Sequence, residues 1–292
     1  MPILMFGLDY AHCHLQGVAG MLRRWSWLLI VLGTQVGAAE AAAIQTQRPE
    51  PKQSRQWLAQ ADEANRLLDE GFALVQRNTT ESLQAALEKL EAAIPLWQAA
   101  GDPLQEGVTR SWAGLAYRRL GFPQAALEQY EAMQTIFQAL AQDATGEDLR
   151  TAIIWQAVAL SGAGRVYADL GDTPQALALY TEALAISQEF GYWGDRAKTI
   201  GYLGEAYADL GNPQQALEFY NQALTLFIAE GDQYGAANTL NNIGEVYADL
   251  GETQQALEYY TQSLSRFHKM GDRRNEAMVI ENINQVYDDL GE

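Results

Sequence analysis

The stretch "YADLG" at residues 167–171 recurs at a fixed interval along the chain. Copies and near copies lie at 117–121 ("YRRLG"), 207–211, 247–251 and 287–291 ("YDDLG"). The last four tyrosines are 40 residues apart, and ten additional residues at 141–150 break the register after the first copy. Because a period of about 20–50 residues is typical of stacked repeats, the sequence predicts a solenoid in place of a domain with one central core.

Each 40-residue unit contains two helical patterns joined by a short turn. In one unit the first apolar stripe has helical spacing and consists of Ile200, Leu203, Ala206, Tyr207 and Leu210. Gly211-Asn212-Pro213 then ends this helix and begins the next, because glycine terminates helices and proline is accepted in the first turn. A second stripe follows, with Ala216, Leu217, Tyr220, Ala223, Leu224 and Phe227. Neither helix buries its stripe alone, so we expect stacked antiparallel pairs.

Small residues recur at one phase of the units. Glycines lie three residues before the repeated tyrosine, at Gly114, Gly164, Gly204 and Gly244, and alanines lie nine residues after it, at Ala126, Ala176, Ala216 and Ala256. A glycine inside a helix costs roughly 1 kcal/mol relative to alanine. Four glycines at one phase therefore indicate a close backbone approach between the two helices of a pair. We expect the repeated tyrosines in the core, with their hydroxyls at its rim.

These positions resemble the tetratricopeptide repeat. Its hallmark residues stand here as Leu203-Gly204-x-x-Tyr207, followed by Ala216, Tyr220 and Ala223. The family's common unit has 34 residues. The 40-residue unit of this chain is similar to the long-unit variants of kinesin light chains and of bacterial repeat arrays. The resemblance covers residues 57–292 and implies an all-α, right-handed superhelical solenoid of antiparallel helix pairs, with five pairs and a final unpaired helix.

The resemblance also implies a binding surface, because the first helix of each pair lines the concave side of such arrays. In the long-unit relatives, asparagines at the positions of Asn241 and Asn242 bind the main chain of an extended peptide, and an amide can both donate and accept hydrogen bonds. We therefore expect a peptide-binding groove, with Asn238 as a third amide. The further candidates on these helices are Lys198, Arg165, Glu205 and Glu245. An ordinary solvated helix face is the alternative interpretation.

The N-terminal segment predicts export. Arg23 and Arg24 precede an apolar stretch, and small residues with the pattern Ala39-Glu40-Ala41 follow it, which is the layout of a secretory signal peptide. The apolar part is shorter than the ~20 residues of a membrane-spanning helix. We expect cleavage to release a periplasmic or secreted chain without a membrane span, and an uncleaved anchor is the alternative. The predicted organisation is an over-extended N terminus at 1–20, the signal peptide at 21–41, a polar linker at 42–56 and the repeat array at 57–292.

Composition narrows the function further. The 292 residues carry a formal net charge of −18, from 37 acidic and 19 basic side chains. Binding to phosphates needs clustered lysine and arginine, so a nucleic-acid partner is disfavoured. The one cysteine, Cys13, lies between His12 and His14, whereas a closed zinc site needs four ligands. After signal cleavage His268 would be the remaining histidine. We therefore expect no metal, no cofactor and no catalytic site.

The sequence thus predicts a non-catalytic scaffold or adaptor that binds an unidentified protein or peptide in its groove. Two alternatives stay open. The first is the regulatory or sensing part of a truncated or split protease system, because similar arrays precede a caspase-like CHAT domain. The second is a structural envelope component that self-associates through its open C-terminal helix, where Ile280, Val286 and Tyr287 form an apolar face.

Overall fold

A computed structural model describes residues 51–190 and 196–290, and this part of the chain is all-α. Residues Trp57–Glu292 form one compact unit, and of the other unit, Met1–Gln56, only residues 51–56 are described. The helices are α1 (Pro51–Arg77), α2 (Thr80–Ala100), α3 (Pro103–Arg119), α4 (Pro123–Asp143), α5 (Gly146–Asp169), α6 (Thr173–Glu189), α7 (Arg196–Asp209), α8 (Pro213–Glu230), α9 (Gln233–Asp249), α10 (Thr253–Met270) and α11 (Arg273–Leu290).

The first and last helices can be compared with the predicted linker and the predicted unpaired C-terminal helix. Helix α1 begins at Pro51, so the last six residues of the predicted linker at 42–56 are helical, and proline is well accepted at a first helical position. The predicted segments at 1–20 and 21–41 lie outside the described residues. On α11, Val286 is buried whereas Ile280 and Tyr287 are exposed, so the apolar face of this helix is half covered.

The turn inside each pair explains the repeated Leu-Gly. Gly211 follows α7 with φ 69°, in the left-handed region that glycine enters without strain. The amide of Asn212 donates a hydrogen bond to the carbonyl of Tyr207 at 2.9 Å, which satisfies one of the last carbonyl groups of the helix. Pro213 then begins α8. The ten additional residues at 141–150 extend the end of α4 and the start of α5, which has 24 residues.

Contacts between helices define two unlike sides of the array. From α2 to α11, consecutive helices pack against one another. The first helices of neighbouring pairs also contact each other from α3 to α11, whereas no second helix contacts another second helix in the described part of the chain. Neighbouring pairs therefore approach more closely on the side of the first helices, as expected for the side that lines a groove. We call this side of α3, α5, α7, α9 and α11 the first-helix surface.

The glycines of the first helices make room for tyrosines of the second helices. A β-carbon on Gly204 would lie 2.7 Å from the ring of Tyr220, and one on Gly164 would lie 2.7 Å from the ring of Tyr180. These two tyrosines are 3% and 1% exposed. The same contact recurs between Gly244 and Tyr260 and between Gly114 and Tyr130. The four glycines do make room for the partner helix, but an aromatic ring fills the space beside each of them, so the predicted close approach of backbone to backbone was wrong.

The tyrosines of the repeated pentapeptide pack against the core without being fully buried in it, so the prediction that they belong to the core holds only in part. Tyr207 and Tyr247 are half-buried and stack on Phe219 and Tyr259, with ring centroids 5.3 and 5.5 Å apart. Leu210, predicted in the apolar stripe, is 45% exposed. The reason is that α7 ends at the preceding residue, where the glycine turn redirects the chain. The pentapeptide marks the end of the first helix, and burial is supplied by the second-helix tyrosines.

Alanine substitutions at Gly204 and Gly201 test this packing within one helix. Gly204→Ala must displace the Tyr220 ring and should lower the free energy of unfolding by about 1–3 kcal/mol. Gly201→Ala is the matched control, because its β-carbon would meet nothing closer than the Ala223 β-carbon at 4.0 Å. Its higher helix propensity should raise the free energy of unfolding by up to about 1 kcal/mol. Urea unfolding followed by circular dichroism measures both, and equal effects would contradict the packing described.

Candidate functional site

The 40-residue period brings equivalent side chains of successive first helices into one line. Arg165, Glu205 and Glu245 each lie two residues before the repeated tyrosine, on α5, α7 and α9. Because neighbouring first helices contact each other, these side chains meet residues of the next helix along the first-helix surface. The other predicted site residues lie nearer the N-terminal ends of α7 and α9: Lys198, Asn238, Asn241 and Asn242.

Ion pairs connect α3, α5 and α7. Nη1 of Arg118 lies 2.7 Å from Oδ2 of Asp169. Arg165 forms an ion pair with Glu205, and its Nε lies 3.8 Å from Oδ1 of Asp169. The Arg165 guanidinium also covers the ring of Tyr202, with 5.1 Å between Cζ and the ring centroid. The structure thus brings the predicted residues Arg165 and Glu205 together. Each of the two acids, Asp169 and Glu205, is paired with an arginine from the first helix of the preceding pair.

Amide hydrogen bonds replace ion pairs between α9 and α11. Nδ2 of Asn241 donates to Oε1 of Glu245 at 2.7 Å. Nδ2 of Asn282 donates to Oδ1 of Asn241 at 3.0 Å and to Oε1 of Glu245 at 3.2 Å. One edge of Glu245 stays exposed, but partial desolvation of the carboxylate, with Asp249 and Glu205 nearby, raises its pKa. The amides oppose that rise. Asn241 is 3% exposed, so it positions Glu245 from within the surface.

The remaining predicted residues lie apart from this network. Nδ2 of Asn238 donates to the carbonyl of Tyr234 on its own helix at 3.0 Å. Asn242 shares a side-chain hydrogen bond with Tyr220 of α8. Lys198 is exposed in the first turn of α7, about 10 Å along the helix from the position of Glu205. The structure therefore does not gather the three predicted asparagines around one point, because Asn241 turns inward while Asn238 stays near the rim.

Sequence reasoning missed the hydroxyls of the second-helix tyrosines. The rings of Tyr180, Tyr220 and Tyr260 lie against the glycines of the first helices, and their hydroxyls come close to the charged line, where Tyr220 faces Glu205 and Glu245. Desolvation by burial, with carboxylates nearby, raises the pKa of all three phenols. They therefore keep their protons and remain hydrogen-bond donors. Their 40-residue spacing in the sequence was the signal that could have identified them.

The first-helix surface carries hydrogen-bonding and charged side chains. Among residues 51–190 and 196–290, no group of three His, Cys, Asp or Glu side chains is placed to hold a metal ion. None of the helices in these ranges combines the length and the apolar character that crossing a membrane requires. The surface carries carboxylates and amides at repeated intervals, and the phenols of Tyr180, Tyr220 and Tyr260 lie buried beneath it.

Solved structures of other proteins share this fold. The nearly identical TPR-like repeats attributed to a kinesin light chain of Podosopora anserina align with a TM-score of 0.52 at 18% identity, over 72% of this chain and 98% of that one. A signal transduction ATPase with a tetratricopeptide repeat sensor from Pyrococcus horikoshii gives 0.59 at 17% identity, over 80% of this chain and 34% of that protein. Aspartyl phosphate phosphatase F from Bacillus subtilis gives 0.63 at 13% identity, over 83% and 61%. At these identities the likeness concerns the fold alone.

Sequence comparison with curated proteins finds no match. The family model of the tetratricopeptide repeat, in contrast, matches residues 155–229 and 195–269. The two matched segments run from α5 to α10 and include the line formed by Arg165, Glu205 and Glu245. Together with the sequential helix pairs and the shared fold, this match identifies residues 155–269, about two fifths of the chain, as a tetratricopeptide-repeat array.

Proposed function

We propose that this protein is a non-catalytic scaffold or adaptor that binds a protein or peptide along its first-helix surface. Repeat arrays of this kind typically present an extended surface to a protein partner. The observation that carries the proposal is the line of charged and amide side chains that recurs once per helix pair on the first-helix surface.

The proposed mechanism is recognition by a rigid surface. The amides of Asn238 and Asn242 donate and accept hydrogen bonds and so contact a peptide main chain without selecting one side chain. Arg165, Glu205 and Glu245 add charge at fixed intervals. Asn241 holds Glu245 in place through the 2.7 Å hydrogen bond. Because these groups are fixed by helix packing, the ligand bears most of the conformational entropy cost of binding.

The export of the protein is a separate proposal. It rests on the basic, apolar and small-residue order of residues 21–41, which lie outside the described residues. Cleavage after Ala41 would deliver the repeat array to the periplasm or the medium, where an adaptor of this type would meet its partner.

Substitution of two surface asparagines tests the proposed binding. A peptide is first selected on the purified full chain from a displayed random library, and its affinity is measured by fluorescence anisotropy. The double variant Asn238→Ala/Asn242→Ala should bind this peptide about tenfold or more weakly, because two hydrogen bonds of about 0.5–1.5 kcal/mol each are removed.

A matched control lies on the preceding second helix. Nδ2 of Asn221 on α8 donates to the carbonyl of Leu217 at 2.7 Å, the same type of bond that Asn238 makes on α9. Gln222, beside Asn221, is exposed. Asn221→Ala/Gln222→Ala should therefore leave the affinity unchanged. Equal loss in both double variants, or in neither, would place binding elsewhere and overturn the proposal.

Mass spectrometry of the exported protein tests the signal peptide. Expression of the full chain in a bacterium should yield a mature form that begins at residue 42. Ala39→Arg/Ala41→Arg should block cleavage, because small residues are needed at these two positions. An intact N terminus in the membrane fraction of the unsubstituted chain would show an uncleaved anchor, and an intact cytoplasmic chain would contradict export.

A further inference from the structure

The charge pattern of the first-helix surface changes at α7. On its N-terminal side, Asp169 and Glu205 are paired with arginines from the preceding helices. On its C-terminal side the equivalent positions carry only acids, because Glu205 and Glu245 both stand at the position that Arg165 occupies in the earlier repeat. We call the four carboxylates at this step the acidic segment: Glu205, Asp209, Glu245 and Asp249.

Arg165 of α5 pairs with Glu205, but α9 supplies no basic side chain to the acidic segment. Helix α9 contains no lysine or arginine, and the basic residues of α7, Arg196 and Lys198, stand at its N-terminal end. The charged neighbours of Glu245 are Asp249 and Glu205, which are both negative. Like charges at adjacent positions repel each other. The step from α7 to α9 therefore lacks the cation that the two preceding steps contain.

A buried tyrosine hydroxyl beneath the same surface has no hydrogen-bond partner. Tyr180 is 1% exposed, and its hydroxyl has no hydrogen-bond partner. The hydroxyl lies in the electrostatic surroundings of Arg165 and Glu205, at the edge of the acidic segment. A buried donor without an acceptor is unfavourable, so this position is suited to an oxygen that arrives with a ligand. Because the hydroxyl is inaccessible to solvent in the free protein, a peptide carbonyl that accepts this hydrogen bond must displace the side chains above it, beside the Arg165–Glu205 pair.

We propose that the acidic segment binds a lysine or arginine side chain of an extended peptide, held between Glu205 and Glu245, while a carbonyl of that peptide accepts a hydrogen bond from Tyr180. This inference rests on the proposed function and names its ligand chemistry. The bound cation would supply at this step the positive charge that Arg165 supplies one repeat earlier, where it pairs with Asp169 of its own helix and Glu205 of the next first helix.

The geometry favours this occupant over other cations. Packed helices lie about 8–10 Å apart, so carboxylates on α7 and α9 can approach one ammonium or guanidinium group from two sides. A bidentate contact makes arginine the stronger ligand of the two. In the described residues no three metal-ligating side chains converge, which argues against a metal ion at this step. A phosphate-bearing ligand would be repelled by the four carboxylates.

Selected peptides test the proposal directly. Peptides recovered from a random library on the full chain should contain a lysine or arginine, and its replacement by alanine should weaken binding about tenfold. Glu245→Gln, which keeps an oxygen for Asn241 and Asn282, should weaken binding by a similar factor. The matched controls are Glu218→Gln and Glu258→Gln, two exposed acids on the second helices α8 and α10, which should leave the affinity unchanged.

Tyr180→Phe separates binding from stability. The substitution removes a hydroxyl that has no partner in the free protein, so the melting temperature should stay equal or rise. Peptide affinity should nevertheless fall about threefold to tenfold. A purely structural role would give the opposite result, with a lower melting temperature and unchanged affinity.

The affinity should also depend on pH. Desolvation raises the pKa of Glu245 above its ordinary value, and only the ionised carboxylate attracts the cation. The affinity should be highest above this raised pKa and fall as the pH is lowered through it. The groups that face Glu245 are Asn241 and Asp249 on α9, Glu205 on α7, Asn282 on α11, and the phenols of Tyr220 and Tyr260. Glu245→Gln should flatten the part of the profile nearest neutral pH, and an unchanged profile would contradict the role of Glu245.

Failure of this proposal is distinguishable from failure of the proposed function. The cation site alone would be overturned by peptides with three properties. They bind Asn238→Ala/Asn242→Ala more weakly, they contain no basic residue, and they bind Glu245→Gln normally. Peptides whose affinity is unaffected by either variant would overturn both, as would a library that yields no binding peptide. Equal losses in Glu245→Gln and in the two second-helix controls would show a general charge effect and would also overturn the cation site.

Discussion

The contact between a glycine of the first helix and a tyrosine of the second determines most of this structure. Any side chain at Gly164, Gly204 or Gly244 would collide with the ring beside it. The missing side chain lets the ring fill the interior of the pair, and it also carries the tyrosine hydroxyl towards the first-helix surface. This contact therefore determines the spacing of the two helices and also places the tyrosine hydroxyls beneath the candidate site.

Because the sequence repeats every 40 residues, this contact recurs in successive helix pairs and brings equivalent side chains into one line on the first-helix surface. Each repeat places the same positions against its neighbour. A different residue type at one of these positions therefore changes the contact between two neighbouring first helices. Arginines at Arg118 and Arg165 give ion pairs, and the amides of Asn241 and Asn282 give hydrogen bonds. The step between Glu205 and Glu245 has neither kind of bridge between its two carboxylates. Arg165 matches Glu205 from α5, but no lysine or arginine of α9 matches Glu245, and this local excess of negative charge separates the surface from a merely solvated helix face.

The sequence predicts the helix pairs, their turns and the phase of the glycines, because these signals are local and repeat in register. It does not decide which of two tyrosines per repeat is buried. Tyr207 and Tyr220 both lie on apolar stripes, and the choice depends on how the second helix crosses the first, which is a tertiary property. The burial of Asn241 likewise depends on Asn282 from the next repeat. Arg165 and Glu205 could be predicted on one surface, but the absence of a cation beside Glu245 becomes visible only when neighbouring helices are compared.

A crystal structure of the full chain with a selected lysine- or arginine-containing peptide tests the proposed cation site most directly. We expect the peptide to lie across α7 and α9, with its cationic side chain between Glu205 and Glu245 and a main-chain carbonyl at the hydroxyl of Tyr180. A peptide bound on the second helices, or one that places an apolar or acidic side chain between these two carboxylates, would contradict it.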